Sequence, residues 1–141
     1  MTARSALPEL LLRYSLATVY LWFGILKLIG ASPAHDLVLK TLSWFPEGAV
    51  INALGCAEVL LGLGFLIPRW TPVVVVLFFI HMAGTFLPFV NGREFVWSVG
   101  VAGLSLTGQY IIKNVVFIAA GAALRQLWLT RVTQPKLRDS T

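Results

Sequence analysis

The sequence predicts an all-α integral membrane protein whose four helices form an antiparallel bundle with both termini in the cytoplasm. Hydrophobic residues make up 57% of the chain and charged residues only 12%, which leaves too few charges to cover the surface of a soluble domain this small. Four apolar segments each approach the roughly 20 residues that are needed to cross a bilayer. Basic residues are also distributed unevenly among the connecting segments, as in multi-pass membrane proteins.

The apolar segments leave no room for a separate soluble domain, so residues 1–141 are predicted to form a single transmembrane domain. The second and third segments are joined by a very short link, in which Pro68 would end one helix and Pro72 would occupy the first turn of the next. This link predicts a tight antiparallel hairpin. The predicted helices comprise residues 9–31, 48–68, 72–90 and 108–129.

Two longer connections, residues 32–47 and 91–107, lie on the side opposite the hairpin. The first contains "DLVLKTLSW", a mixture of apolar and polar positions typical of a helix, and the second contains "FVWSVGVAGLSL", which is apolar and rich in glycine. Either connection could lie flat on the membrane surface or fold back as a lid over the bundle. The sequence does not favour one arrangement over the other.

The basic residues predict the orientation of the bundle. Lys and Arg stay preferentially on the cytoplasmic side of a membrane, and the predicted side that holds the termini has the larger number of them. We therefore interpret the net charge of +5 as a topology signal and expect no nucleic-acid partner. The residues on the side of the termini are Arg4, Arg13, Arg69, Arg125, Arg131, Lys136 and Arg138; those on the other side are Lys27, Lys40, Arg93 and Lys113.

Polar and small residues recur every three or four positions in each predicted helix, so they share one face. Such faces are expected to point inward, because small residues let neighbouring helices approach closely and polar side chains find partners there. These faces consist of Arg13, Ala17, Tyr20, Gly24 and Lys27 in the first helix, Asn52, Gly55, Glu58 and Gly62 in the second, His81, Thr85 and Pro88 in the third, and Asn114, Gly121 and Arg125 in the fourth.

Glu58 is the centre of the predicted site. It would lie about 15 Å from either end of its helix, a depth at which a carboxylate needs a partner. Lys27 and Lys113 lie about 6 to 9 Å below the membrane surface by the same helix geometry, so each could bend toward Glu58 or extend toward the lipid headgroups. We predict a ligand-binding pocket lined by Lys27, Asn52, Glu58, His81, Lys113 and Asn114.

Structural alternatives exist for these residues. Glu58 could be a fixed ion-pair partner and His81 a hydrogen-bonded residue between helices. Because one histidine and one carboxylate are too few ligands, no metal site is predicted. The single cysteine, Cys56, excludes an internal disulfide and is expected to be a small buried residue. Arg13 and Arg125 are expected to be topology anchors.

The charge of the predicted pocket indicates a class of ligand. With both lysines charged and Glu58 ionised, the pocket would carry an excess of positive charge. Such a site favours an anion or a polarised carbonyl oxygen such as that of a quinone.

Three stretches of the sequence resemble a known family. They are "YLWFGILKLIGASP", "GCAEVLLGLGFLIP" and "LSLTGQYIIKNVVFIAAG", and together they are similar to the DoxX-like superfamily of small four-helix bacterial inner-membrane proteins, especially its YkgB and RclC type. The resemblance covers nearly the whole chain. The positions that match the family patterns are Gly24, Lys27, Glu58, Gly108, Tyr110, Lys113 and Asn114.

The resemblance implies a multi-pass protein of the bacterial inner (cytoplasmic) membrane in redox surroundings, such as thiosulfate:quinone oxidoreduction, oxidative stress or reactive chlorine resistance. The sequence has no paired cysteines and no pair of haem-ligating histidines, so no intrinsic cofactor is expected. A quinone bound in the pocket and a partner protein would have to supply the redox chemistry. The chain is therefore not expected to be catalytic on its own.

We therefore interpret the chain as a DoxX-like membrane subunit with a polar intramembrane pocket that supports the quinone-linked or oxidative-stress-linked redox chemistry of a partner. Its expected partners are the lipid bilayer and either other membrane subunits or further copies of itself. The first alternative is a structural packing subunit of a larger respiratory or photosynthetic complex, with no cavity beside Glu58. The second is a small ion or solute transporter, although no paired broken helices are apparent.

Overall fold

The computed structural model describes residues 3–99 and 103–133 of the chain, and it is mostly helical. Four segments are long and apolar enough to cross a membrane, which confirms this part of the prediction. Lys136 and Arg138, which were used to predict the orientation, lie outside the described residues. The candidate spans are Leu7–Leu28, Glu47–Phe65, Pro68–Asn91 and Leu106–Thr133.

The first helix, α1, comprises Ala3–Leu28 and ends three residues before the predicted boundary. Gly30 explains the earlier end, because its φ of 72° lies in the left-handed region that only glycine adopts without strain. The amide of Gly30 donates to the carbonyl of Lys27 at 3.2 Å, which closes the last turn. The chain then enters the first long connection, in which a short helix, α2, comprises His35–Thr41.

The predicted hairpin is present between α3, which comprises Glu47–Phe65, and α4, which comprises Thr71–Gly84. A single 3₁₀ turn at Pro68–Trp70 joins them. Pro72 lies in the first turn of α4, where its missing N–H costs no hydrogen bond. The hydroxyl of Thr71 donates to the carbonyl of Pro68 at 2.7 Å and fixes the turn.

The second long connection contains more regular structure than the sequence indicates. Two single-turn helices, α5 (Pro88–Asn91) and α6 (Arg93–Val96), are followed by two short strands. Strand β1 (Trp97–Val99) pairs antiparallel with β2 (Gly103–Leu104), with Trp97 opposite Leu104. The sequence analysis predicts neither strand, because the apolar, glycine-rich stretch has no clear period of two.

The last span consists of two helices, α7 (Leu106–Ile112) and α8 (Asn114–Thr133), where the sequence predicts one. The helix is interrupted at Lys113, and the amide of Val116 donates to the Lys113 carbonyl three residues earlier, at 2.9 Å. Such a tightened turn is typical of a local break in a helix. The hydroxyl of Ser105 caps the start of α7 by accepting from the amide of Gly108 at 3.1 Å.

The core lies between α1, α3, α4 and α8 and is built around three aromatic rings. Tyr20, Phe65 and Phe78 contact one another edge to face or tilted, with ring centroids 5.5 to 5.9 Å apart. Aromatic pairs in this geometry add to the stabilisation from burial alone. Leu16 and Leu124 complete the core from α1 and α8.

The outer surface of the four spans is mostly apolar. Large hydrophobic side chains such as Trp22, Ile80 and Val116 are exposed, which is the pattern expected of helices that face lipid. Cys56 also lies on the exposed face of α3, so the prediction that it is buried is wrong. It occupies this face because it follows Gly55 directly, and a helix turns about 100° per residue away from the buried glycine.

Candidate functional site

Lys27 and Glu58 form a buried ion pair between α1 and α3. The Nζ atom of Lys27 donates to both carboxylate oxygens of Glu58, at 2.9 Å to Oε1 and 2.7 Å to Oε2. Each residue is only 7% exposed. Lys27 therefore turns inward toward the acid, and its ammonium is not directed to the headgroup region.

Two glycines bring these charged groups together. Gly24 and Gly55 lie one helical turn before Lys27 and Glu58, and a Cβ atom added to Gly24 would lie 2.8 Å from the carbonyl oxygen of Gly55. Such a separation is too short for any residue larger than glycine. Because the backbones of α1 and α3 approach this closely, the long side chain of Lys27 reaches Glu58 across the interface.

His81 and Tyr20 extend the polar group away from the ion pair. The Nε2 atom of His81 lies 3.3 Å from Oε1 of Glu58. The Nδ1 atom of the same ring lies 3.5 Å from the hydroxyl of Tyr20, at the long end of hydrogen-bond distances. A neutral ring with its proton on Nε2 can accept from the tyrosine hydroxyl through Nδ1. The four side chains thus form one connected row from Lys27 to Tyr20.

Asn114 and Thr85 form a second polar contact, between α8 and α4. The Nδ2 atom of Asn114 donates to the hydroxyl of Thr85 at 2.9 Å. That hydroxyl in turn donates to the carbonyl of Met82 at 2.7 Å. The carboxamide nitrogen of Asn114 is therefore fixed by Thr85, and the carboxamide oxygen can accept a hydrogen bond from a ligand.

A cavity of about 720 Å³ connects these groups. Its size lies within the range of small-molecule sites in proteins. Most of its wall is apolar, and the polar side chains of Lys27, Glu58, His81 and Asn114 project from different helices. The first long connection contributes Leu37, Val38 and Thr41 to the wall, and α7 at the start of the last span contributes Leu106, Thr107 and Tyr110.

Two of the predicted site residues do not line the cavity. Asn52 is exposed on α3. It lies six residues before Glu58, and in a helix of 3.6 residues per turn this places the two side chains about 120° apart around the helix axis. Lys113 is exposed at the break between α7 and α8. Its neighbour Asn114 points inward, and adjacent helical residues diverge by about 100°.

The position of Lys113 changes the charge of the site. Among the described residues that line the cavity, Glu58 is the one acidic side chain, and Lys27 and His81 are the basic ones. Lys27 and Glu58 neutralise each other. The excess positive charge predicted from two lysines is therefore absent from this cavity. An uncharged ligand with a hydrogen-bond acceptor fits such a site better than an anion does.

A second buried ion pair lies at the other end of α1, where the sequence analysis expects only a topology anchor. Arg13 is 2% exposed. Its Nε and Nη2 atoms donate to Oε1 of Glu9 at 3.0 and 2.7 Å. Nη2 also donates to the hydroxyl of Thr71 at 2.7 Å, and Nη1 donates to the carbonyl of Phe65 at 3.1 Å.

These contacts join the start of α1 to the end of α3 and the start of α4. Arg131 connects the end of α8 to the same group, because its Nη1 atom lies 3.5 Å from Oε2 of Glu9. The spacing of Glu9 and Arg13, four residues apart in a helix, is the sequence feature that indicates this pair. Since Arg13 already has several protein partners, we assign this group a structural role and not a ligand site.

Comparisons with models of protein families, with curated proteins and with solved structures find no match for this chain. The functional assignment below therefore depends on the geometry of the cavity and on the chemistry of the side chains that line it.

Proposed function

We propose that this chain is a DoxX-like subunit of the bacterial inner membrane whose cavity binds a quinone-like molecule and supports the redox chemistry of a partner protein. In this proposal the four spans form an antiparallel bundle with both termini in the cytoplasm. The contacts of Arg13 and Arg131 support the antiparallel arrangement, because they bring the start of α1 and of α4 together with the end of α3 and of α8.

The observation that carries the proposal is a charge-balanced polar group on the wall of a largely apolar cavity. The ammonium of Lys27 has three protons, and Glu58 accepts from it at two distances that are both within hydrogen-bond range. A remaining proton of Lys27 is available to a carbonyl oxygen of a ligand. An apolar cavity with a few convergent polar groups is typical of sites that bind small hydrophobic molecules.

A quinone matches these features chemically. Its carbonyl oxygens accept hydrogen bonds, its ring is flat and apolar, and it carries no charge that would have to be desolvated without a counter-ion. The chain's own residues would bind and orient the head group. Electrons would come from the partner, because the chain has one cysteine and two histidines and thus no visible set of ligands for a redox centre.

The cavity itself favours a binding role over the structural alternative. A subunit that only fills space between other proteins needs no cavity beside Glu58, whereas the structure has one of about 720 Å³ there. The aromatic core of Tyr20, Phe65 and Phe78 lies between this cavity and Arg13. Because the described residues of that core are apolar apart from the hydroxyl of Tyr20, a binding site explains the geometry better than a transport path does.

Titration of a short-chain ubiquinone into the purified protein in lipid nanodiscs tests the proposal. The wild-type protein is expected to bind it saturably. Lys27→Met and Glu58→Gln are each expected to weaken binding by at least about tenfold, which corresponds to about 1.4 kcal/mol. The matched controls are Asn52→Ala and Lys113→Gln, which lie outside the cavity and are expected to bind as the wild type does.

Two results would contradict the proposal. One is a wild-type protein that does not bind the quinone in nanodiscs. The other is an equal loss of binding in the control variants and in the cavity variants, since this would show that the cavity is not the binding site. Crosslinking in native membranes tests the partner separately, and we expect it to capture an oxidoreductase.

A further inference from the structure

The charged residues that line the cavity are buried, whereas several apolar residues that line it are exposed. Lys27 and Glu58 are each 7% exposed, whereas Ile80 on α4 is 65% exposed and Leu106 on α7 is 85% exposed. A side chain that lines a cavity and is also exposed marks a place where the cavity reaches the molecular surface. Both residues belong to segments that are long and apolar enough to span a membrane.

We propose that the cavity is loaded sideways from within the bilayer, and that its ligand is a lipid with an uncharged carbonyl head group and a long apolar tail. This inference depends on the proposed quinone-binding function and adds the route of entry and the need for a tail. The head group would contact Lys27, and the tail would leave past the exposed lining residues of α4 or α7 into the surrounding lipid.

The other boundaries of the cavity favour this route. Toward Arg13, the last residues of α1 that line the cavity are Val19 and Tyr20, and the ring of Tyr20 packs against Phe65 and Phe78 in the core. Beyond the other end of α1, the first long connection supplies Leu37 and Val38 to the wall, together with Pro33, which is exposed and apolar. The exposed lining side chains of Ile80, Leu87 and Leu106 are apolar and large, as expected where an apolar chain rests against protein.

The nature of the exposed residues also argues against a water-filled entrance. Leu87 and Tyr110 line the cavity and are 40% and 50% exposed. The ring of Tyr110 packs edge to face on Phe23 of α1, with centroids 6.0 Å apart, so an aromatic surface flanks the cavity at this point. A polar ligand from water would meet no charged side chain at these residues, whereas an isoprenoid or acyl chain would bury apolar surface there.

The charge balance of the cavity selects among membrane lipids. A phospholipid head group carries a phosphate, and its negative charge would have no free cation in the cavity, because Lys27 is already paired with Glu58. A head group that only accepts hydrogen bonds avoids this cost. We therefore commit to a neutral carbonyl lipid, of which a polyisoprenoid quinone is the probe.

The test compares a long-tailed and a short-tailed ubiquinone in nanodiscs of phosphatidylcholine. Ile80→Trp and Leu106→Trp each narrow one exposed part of the cavity wall. We expect at least one of them to slow the association of the long-tailed quinone by about tenfold or more, while the short-tailed quinone changes less. Val76→Trp is the matched control, because Val76 is also exposed on α4, one turn from Ile80, but does not line the cavity.

A chemical block provides a second measurement that does not depend on tryptophan being accommodated. Leu106→Cys and Ile80→Cys are made in a Cys56→Ser background and modified with a bulky maleimide that dissolves in membranes. The modified protein is expected to bind the long-tailed quinone more slowly. Prior binding of that quinone is in turn expected to slow the reaction of the cysteine with the maleimide. The Val76→Cys variant is expected to be modified without either effect.

The outcomes separate the two proposals. If the wild type binds neither quinone, the quinone-binding function itself is wrong. If it binds both quinones and neither the tryptophan variants nor the blocked cysteines alter long-tail association, sideways loading is overturned while the function stands. Extraction of a phospholipid as the sole occupant of the purified wild-type cavity would overturn the assignment of a neutral head group.

Discussion

At the scale of single residues, the central feature is that Lys27 and Glu58 neutralise each other between two segments that are each apolar enough to span a membrane. Each charge alone would be costly at this depth, because hydrocarbon offers no solvation. Together, with His81 at 3.3 Å from the carboxylate, they form a polar group without net charge if the histidine is neutral. The pair therefore makes a polar site compatible with an apolar environment.

We expect removal of one partner of this pair to destabilise the protein strongly. Lys27→Met leaves a buried carboxylate without its cation, and breaking a buried pair in this way costs about 3–5 kcal/mol. Replacing both residues, as in Lys27→Met with Glu58→Met, should cost clearly less than the sum of the two single changes. Unfolding in detergent micelles, followed by circular dichroism, measures these differences.

The control for this prediction is Lys113→Met. The Lys113 side chain is exposed at the junction of α7 and α8, so its loss should leave the unfolding midpoint close to that of the wild type. A strictly additive double variant would show that Lys27 and Glu58 do not stabilise each other, contrary to their geometry.

Arg13 leads to a second residue-scale prediction. Its guanidinium donates to Glu9, Thr71 and the carbonyl of Phe65 at once. A lysine cannot reproduce this planar set of donors, so Arg13→Lys is expected to lower the free energy of unfolding by about 2 kcal/mol or more, in the range for lost hydrogen bonds to charged groups. Thermal unfolding in micelles is the measurement.

Arg125 is the matched comparison for Arg13, because it is an exposed arginine in a helix that is also apolar enough to span a membrane. Arg125→Lys should unfold as the wild type does. If Arg13→Lys were equally harmless, the buried contacts of Arg13 would not contribute to stability as we infer.

At the scale of secondary-structure elements, the close approach of α1 and α3 positions the site. Gly24 and Gly55 face each other, and a Cβ atom on Gly24 would also lie 2.8 Å from the backbone nitrogen of Val59. Backbone atoms cannot move aside as a flexible side chain can. The two helices would therefore have to separate to accommodate any larger residue at position 24.

This packing predicts that Gly24→Ala weakens both stability and ligand binding. Overpacking of this kind typically costs about 1–3 kcal/mol, and separation of α1 from α3 would also lengthen the contact between Lys27 and Glu58. Gly48→Ala is the control within α3, because no atom lies within 4 Å of the added Cβ position. The control should be neutral or slightly stabilising, since alanine favours the helical state. Unfolding and quinone titration, measured on both variants, distinguish these results.

At the scale of the whole molecule, the proposed topology predicts opposite accessibility for the two ends of the helices. We expect Arg69→Cys, at the tip of the hairpin, to react with a membrane-impermeant maleimide only when the cytoplasmic face is exposed. Ser43→Cys, in the connection after α2, should react from the other face. Both are made in a Cys56→Ser background, because Cys56 is itself exposed. Both positions are exposed in the structure, so a lack of reaction reports the side of the membrane.

Intact and inverted vesicles from the same cells provide the two faces for this measurement. Labelling of both cysteines from one face would contradict the proposed crossing of the membrane. Labelling with the faces exchanged would leave the four spans in place but reverse the orientation inferred from the basic residues.

Much of the molecule follows from local properties of the sequence. The four apolar spans, the proline-bounded hairpin and the inward face of α1 are all visible in hydropathy and in spacings of three and four residues. These features depend only on the transfer of side chains from water and on helical periodicity. The need of Glu58 for a partner also follows, because an isolated charge at that depth would be too costly, whereas the choice of Lys27 as that partner does not.

Tertiary structure alone decided which polar residues meet. The rotation of α3 against α1 leaves Asn52 on the surface, and the break at Lys113 turns that ammonium away from the cavity. Packing of three helix ends around Arg13 gave several buried partners to a residue that the sequence predicts only as a topology anchor on the inward face of α1. Helical spacing identifies a face with an uncertainty of tens of degrees, whereas contact between side chains depends on distances of an ångström, which are set only when the helices pack together.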